Sequence, residues 1–162
     1  MLYFAYGSNM DWEQMRQRCP SAKFVSIAKL KDYRFAIART SHSRGCGSAG
    51  VLPQAGANVW GIVYEIDAKD FGPLDAAEDF VPGRGKNSYT RRECTVYADG
   101  DEGKTFLVSL YFPEVEENPP LPNAEYKRLI VGGARHWRLP QGYVVELERM
   151  KVAKDGKGRI RR

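Results

Sequence analysis

Residues 3–9 read "YFAYGSN", and how this stretch is read decides how the rest of the chain is understood. Tyr3, Phe4, Ala5 and Tyr6 are β-favouring or small, so the segment begins as a buried strand over residues 2–6. Gly7, Ser8 and Asn9 then turn the chain. A helical pattern follows over about residues 10–19, with Trp12, Met15 and Cys19 on one face, until Pro20 ends it. A strand that turns abruptly into a helix leaves several N–H groups without an intrahelical acceptor. Two readings of the turn follow. In one, Ser8 or Asn9 simply caps the helix. In the other, the bare backbone at Gly7 opens a cradle of N–H groups for a carboxylate, a phosphate or a developing oxyanion.

Working outward, "FVSIAKL" (24–30) and "YRFAIA" (33–38) read as strands, the second alternating cleanly through Tyr33, Phe35 and Ile37. Residues 40–58 are rich in Ser, Gly and Ala and read as a long irregular loop with a short strand near Val51. "VWGIVYEI" (59–66) is nearly continuously apolar, the pattern of a central strand. Residues 68–80 read as a short helical region broken at Gly72-Pro73, with Pro73 suited to a first helical position. "YTRRECTVYA" (89–98) and "TFLVSLYF" (105–112) form a hairpin around "DGDEGK". After an acidic, Pro-rich connector at 113–122, "NAEYKRLIVGGARHW" and "LPQGYVVELERM" read as two C-terminal helices. Strands and helices are mixed without a regular βαβ alternation. The expected class is therefore α+β, a small mixed sheet with flanking helices that curls toward a barrel.

The 162 residues suffice for one domain with a real core, expected over 1–150. No run approaches the ~18 apolar residues of a membrane span, and the N-terminus begins inside a strand without a signal-peptide pattern. Cys19, Cys46 and Cys94 are odd in number and widely spaced, which argues against a disulfide framework and a zinc site. With only His42 and His136 besides, no metal is expected, and the compartment reads as a reducing cytoplasm. The net charge is +5, but six of the 25 Lys and Arg and one of the 20 Asp and Glu lie in "KVAKDGKGRIRR" (151–162). The remaining body carries 19 of each sign. The fold has no excess of positive charge for tracking phosphates, so a nucleic-acid partner is not expected, and 151–162 reads as a basic C-terminal tail.

"GCGSAG" (45–50) matches a dinucleotide-binding G-x-G-x-x-G in letters only. In that motif the last glycine opens a helix facing pyrophosphate, and "VLPQAG" cannot start one. "LDAAEDF" (74–80) is more informative. Glu78 lies four residues after Leu74, so on a helix the two share a face. If Leu74 is buried, Glu78 points toward the interior, where a carboxylate acquires a raised pKa suited to general base work. The plain alternative is a solvated surface glutamate. No Ser/His/Asp or Cys/His arrangement competes in the linear pattern.

In order, "YFAYGSN", "VWGIVYEI", "LDAAE", "EYKRLIVGGA" and "LPQGYVVEL" resemble the γ-glutamylcyclotransferase family, which includes AIG2-like proteins. The resemblance covers roughly residues 2–149. It implies an α+β fold with a small mixed β-barrel, and an enzyme without a cofactor. The implied reaction converts a γ-glutamyl amino acid or amide into 5-oxoproline and a free amino acid or amine. By motif match, Tyr3, Phe4, Ala5, Tyr6, Gly7 and Ser8, continuing to Asn9, form the substrate loop. Glu78 is the implied catalytic acid and base, and Tyr126 a substrate contact. Outside the family core, Arg44 and Arg84 border the pocket and are weighed as carboxylate ligands or plain surface. The partner expected is a small γ-glutamyl molecule, with a homodimer open and no membrane. The rivals are a cyclotransferase for a specialised γ-glutamyl amine, and a non-catalytic binding module using its basic tail.

Overall fold

Five strands close into a barrel in the order β1-β3-β2-β4-β5 in the computed structural model, which describes residues 1–154. These are β1 (Leu2–Ala5), β2 (Lys23–Ser41), β3 (Cys46–Glu65), β4 (Tyr89–Ala98) and β5 (Thr105–Pro113). Four α-helices surround them: α1 (Trp12–Arg18), α2 (Phe71–Ala77), α3 (Ala124–His136) and α4 (Gln141–Glu148). Short 3-10 turns at Ser8–Met10 and Ala68–Asp70 precede α1 and α2. The mixed sheet expected from the element order is present. β1 runs antiparallel to β3, from Leu2 opposite Glu65 to Ala5 opposite Ile62, and parallel to β5 at Tyr3 and Ser109. None of the described helices is long and apolar enough to cross a membrane.

The apolar run 59–66 lies where its composition puts it. Val59, Ile62, Val63 and Tyr64 have no exposed surface, since β1 and β2 flank the strand on both edges and the core covers it.

The reading of 40–58 as an irregular loop is overturned. Residues 46–65 form one long strand, paired with β2 from Ser41 opposite Cys46 to Lys23 opposite Glu65. Only residues 42–45 turn. The small residues that suggest a loop serve close packing instead. A side chain at Gly47 would strike the carbonyl of Pro120 and the side chain of Ile37, and one at Gly50 would strike Pro113 and Ala38. Glycine here lets the connector after β5 lie across the hairpin, tied by Gly47 N–H to Leu121 O (3.0 Å) and Glu116 N–H to Ala38 O (2.9 Å). Arg39 and Thr40 reinforce this through Glu114 O (2.8 Å) and the Glu116 carboxylate (2.8 Å). The two strands expected at 24–30 and 33–38 are likewise one, with a register shift between Lys31 and Tyr33 where Asp32 takes a positive φ of 66°.

Two helix starts also differ from expectation. Asp11, not Ser8 or Asn9, caps α1, its carboxylate accepting from Gln14 N–H (2.9 Å). Gly72 and Pro73 do not break α2 but sit in its first turn, where a missing N–H leaves no bond unmade. Asn123 caps α3 by accepting from Tyr126 N–H (2.8 Å). Of the expected basic tail, residues 151–154 are described and Ala153 N–H bonds Pro122 O (2.8 Å); residues 155–162 lie outside the described residues.

Candidate active site

Because Asp11 takes the capping role, the turn at 7–9 is released from it. Met10 N–H and Asp11 N–H bond back to Gly7 O (3.0 Å) and Ser8 O (2.9 Å). Among the described residues no acceptor stands opposite the N–H groups of Gly7, Ser8 and Asn9. The turn is held rigidly from behind. Tyr64 O–H donates to Asn9 O (2.9 Å) and Trp137 Nε1–H to Met10 O (2.9 Å). Gly133 lets α3 approach, since a side chain there would run into the Met10 backbone. Asn9 is buried, and both its amide nitrogen and its amide oxygen are engaged. Its Nδ2 donates to the Tyr3 phenol oxygen (3.0 Å) and its Oδ1 accepts from Gln14 (2.9 Å) and Arg18 (3.1 Å). Asn9 thus fixes the turn's shape through its side chain.

The turn opens onto a cavity of about 230 Å³, at the small end of the scale on which ligand sites run from roughly 300 to 1,000 Å³. Gly7, Ser8 and Asn9 line it together with Glu78, Tyr126 and the hairpin tip 41–44. The wall is rich in phenols: Tyr3, Tyr6, Tyr89, Tyr111 and Tyr126. Most are pinned by their hydroxyls. Tyr6 donates to Tyr111 O (2.6 Å), Tyr89 to Ala49 O (2.6 Å), and Tyr111 to the Asp75 carboxylate (2.6 Å). Tyr3 and Tyr126 are different. The Tyr3 oxygen accepts from Asn9 (3.0 Å) and the Tyr126 oxygen from Ala49 N–H (2.9 Å), which leaves each its own proton to donate. Burial raises the pKa of all five above the ordinary phenol value, so each stays protonated at neutral pH.

Glu78 closes the C-terminus of α2. Leu74, one turn earlier, is fully buried, so the face argument from spacing holds and the carboxylate turns inward. The helix end is anchored by Asp75, which is buried and meets Arg91 Nε at 3.0 Å as well as Tyr111. Solvent reaches Glu78 through the cavity, and it keeps partial exposure. Burial nevertheless pushes its pKa up to about 7, against the opposing pull of the Arg18 and Arg44 guanidinium groups. Among the described residues nothing hydrogen-bonds its carboxylate, which is therefore free to meet a ligand.

The predicted site residues divide as follows. Tyr3, Tyr6, Gly7, Ser8, Asn9, Glu78 and Tyr126 come together around the cavity. Phe4 and Ala5 do not line it. They are buried in β1, within the core. Arg44 is brought in, donating to Ser8 Oγ (3.2 Å) and Gln14 Oε1 (2.8 Å) and lying 4.8 Å from the Tyr126 ring centre. Arg84 is not in the lining; it pairs with Asp79 (3.0 Å), a residue of the cavity wall, and with Asn87 (2.8 Å). Arg18, at the end of α1, and Arg39, Tyr89 and Tyr111, on barrel strands, line the cavity without any signal in the linear pattern. Among the described residues no three His, Cys, Asp or Glu side chains stand together as a metal site.

The family described as gamma-glutamyl cyclotransferase, AIG2-like, matches residues 3–128, which include the turn, Glu78 and Tyr126. A gamma-glutamylcyclotransferase from Bos taurus is 33% identical over 98% of this chain and 82% of its own length. One from Homo sapiens is 32% identical over 91% of this chain and 77% of its own. A solved structure of a gamma-glutamyl cyclotransferase superposes with a TM-score of 0.86 at 29% identity, covering 96% of this chain and 90% of the other. With a matched family over most of its length and full-length relatives above 30% identity, the chain belongs to the gamma-glutamyl cyclotransferase, AIG2-like family.

Proposed function

We propose that the protein is a γ-glutamylcyclotransferase that converts a small γ-glutamyl compound into 5-oxoproline and a free amino acid or amine, in a reducing cytoplasm. One observation carries the reading. A carboxylate with a pKa near 7 and no hydrogen-bond partner among the described residues shares a cavity with three unengaged backbone N–H groups.

The reaction suits these parts. The substrate carries its own nucleophile, the α-amine, which closes a five-membered lactam on the γ-carbonyl carbon. The new C–N bond forms as the amide C–N bond breaks, and no water, oxidant or protein nucleophile is consumed. Holding the chain folded supplies much of the acceleration. An α-amine has a pKa of roughly 7.7–8.0 and must shed a proton before it attacks. Glu78 accepts that proton and returns it to the departing nitrogen. A group near pKa 7 is matched to both halves of the exchange. The N–H groups at 7–9 hold the substrate carboxylate or the carbonyl oxyanion. Tyr126, beside Gly7, contributes a phenol proton that is not spent on the protein among the described residues. Three free cysteines, two of them buried, support the reducing compartment.

The test is a panel of γ-glutamyl amino acids and amines assayed for 5-oxoproline with the purified protein. Release from at least one is expected. No release from any would refute the reading and favour a binding module that has kept the pocket.

A further inference from the structure

Arg44 sits at the tip of the β2–β3 hairpin, 36 residues from the turn it touches. The tip is carried over the cavity because the connector after β5 clamps the hairpin at Gly47, Arg39 and Thr40. Ser41, His42 and Ser43 form the rim around it. Its guanidinium lies against the face of Tyr126, and one terminal nitrogen, Nη2, serves both Ser8 and Gln14. Nε and Nη1 have no partner among the described residues.

Three arginines line the cavity, and they differ in what they are free to do. Arg39 is occupied, bonding Glu114 O and pairing with Glu116 at 3.6 Å. Arg18 and Arg44 form no ion pair among the described residues. Of these two, Arg18 pulls harder on Glu78. A ligand carboxylate on Arg18 would therefore be set beside the Glu78 carboxylate and repelled by it. Arg44 lies on the rim side, with the N–H donors of Nε and Nη1 unspent. Each of these free N–H donors can give a ligand carboxylate a charge-assisted bond.

A γ-glutamyl amino acid has two carboxylates, one on the γ-glutamyl unit and one on the leaving amino acid. A γ-glutamyl amine has only the first. We propose that Arg44 is a specificity-determining residue that binds the carboxylate of the leaving amino acid and so favours γ-glutamyl amino acids over γ-glutamyl amines. The proposal rests on the cyclotransferase reading above and goes beyond it in assigning the leaving-group end of the cavity.

The experiment compares γ-glutamyl-alanine with γ-glutamyl-ethylamine, which differ only by that carboxylate. kcat/KM for 5-oxoproline release is measured with the wild type, Arg44→Gln and Arg44→Lys. The wild type is expected to prefer the alanine compound by at least about tenfold, the worth of a charge-assisted bond. Arg44→Gln also unmoors Ser8, so both rates fall; the ratio between them is the readout and should collapse toward one. Arg44→Lys should restore part of the preference by keeping the charge. Equal wild-type rates on the two compounds would overturn the proposal without touching the cyclotransferase reading, and need no variant to fold. So would a parallel loss on both in Arg44→Gln, which would assign the arginine to the shared γ-glutamyl end. No release from either compound or from the wider panel would overturn the cyclotransferase reading, and this proposal with it.

Discussion

Replacing Glu78 with Gln keeps the side chain's volume and removes its basicity. If the carboxylate moves the proton, kcat should fall by about 10²–10⁴-fold, the range of general acid–base catalysis. Substrate affinity should change far less, because the 7–9 turn and Tyr126 are untouched. The pH profile gives a second magnitude. The Glu78 pKa stands at about 7 in the folded protein against an ordinary 4.5. Wild-type kcat/KM should rise with pH through about 7, and the limb should vanish in Glu78→Gln. Stability follows by linkage. The folded state holds this proton more tightly, so the contribution is fully present below 4.5 and is lost as pH rises through about 7. Above that pH the buried charge costs up to about 3 kcal/mol, at 1.36 kcal/mol per unit. Glu78→Gln should therefore be more stable than wild type in urea at pH 8, with the gap shrinking toward pH 5. Glu78→Asp, which keeps the charge but retracts it by about one bond, should lose on the order of 10²-fold from misplacement and keep its pH limb. The assay is 5-oxoproline release by purified proteins on an accepted substrate, with circular dichroism confirming the fold. Undiminished turnover in Glu78→Gln would refute the mechanism.

Gly7→Val should fold, since the first added carbon meets only Ala49 Cβ at 3.6 Å and Tyr126 Oη at 3.7 Å. Its two further methyls then fill the space before the phenol, so turnover should drop more than about tenfold; a folded variant with normal kinetics would return the turn to a structural role. Arg18→Gln removes the strongest charge opposing burial at Glu78, so the acid limb of kcat/KM should move above about 7. An unmoved limb would show that Arg18 does not act on Glu78. Asp75→Asn breaks the buried pair with Arg91 and weakens the bond from Tyr111, and should cost about 3–5 kcal/mol in denaturant unfolding. A loss below about 1 kcal/mol would mean that the end of α2 is held by packing alone.

The parts of the fold legible in the sequence are those whose environment is uniform along the chain. The run 59–66 is apolar except at Glu65 and buried except at Trp60 and Glu65, so its pattern and its place agree. The hairpin 89–112 declares itself through alternating strands around a polar turn, and Tyr97 does pair with Thr105 across it. Residues 40–58 are illegible for the opposite reason. A glycine reports either freedom of the backbone or closeness of a neighbour, and the letters do not distinguish the two. At Gly47 and Gly50 the neighbour is the connector 113–122, more than sixty residues away. The same ambiguity misplaces the cap of α1. Ser8 and Asn9 have the chemistry of caps, but the 3-10 turn moves the helix start by one step to Asp11.

The candidate site follows the same division. The inward direction of Glu78 is legible because Leu74 lies one turn away on the same helix, whereas the roles of the 3–8 loop and Tyr126 come through family resemblance. What spacing could not give is the electrostatic balance. Burial alone would hold the proton on Glu78 more tightly and make it a poorer base. A direct ion pair with Arg18 would hold it ionised, a poor acid. The structure does neither. Arg18 is diverted to Asn9 Oδ1 at 3.1 Å and Arg44 to Ser8 and Gln14. Both cations therefore act on the carboxylate through space without bonding it, and the result is a pKa near 7. The residues that divert them belong to the turn and to α1, so the segment that supplies the N–H cradle also sets the basicity of the group opposite. The 7–9 turn is in this sense one half of the proton-transfer device as well as the binding loop. A substitution at Asn9 should accordingly disturb the pH limb as well as the affinity, because freeing Arg18 lets it close on Glu78.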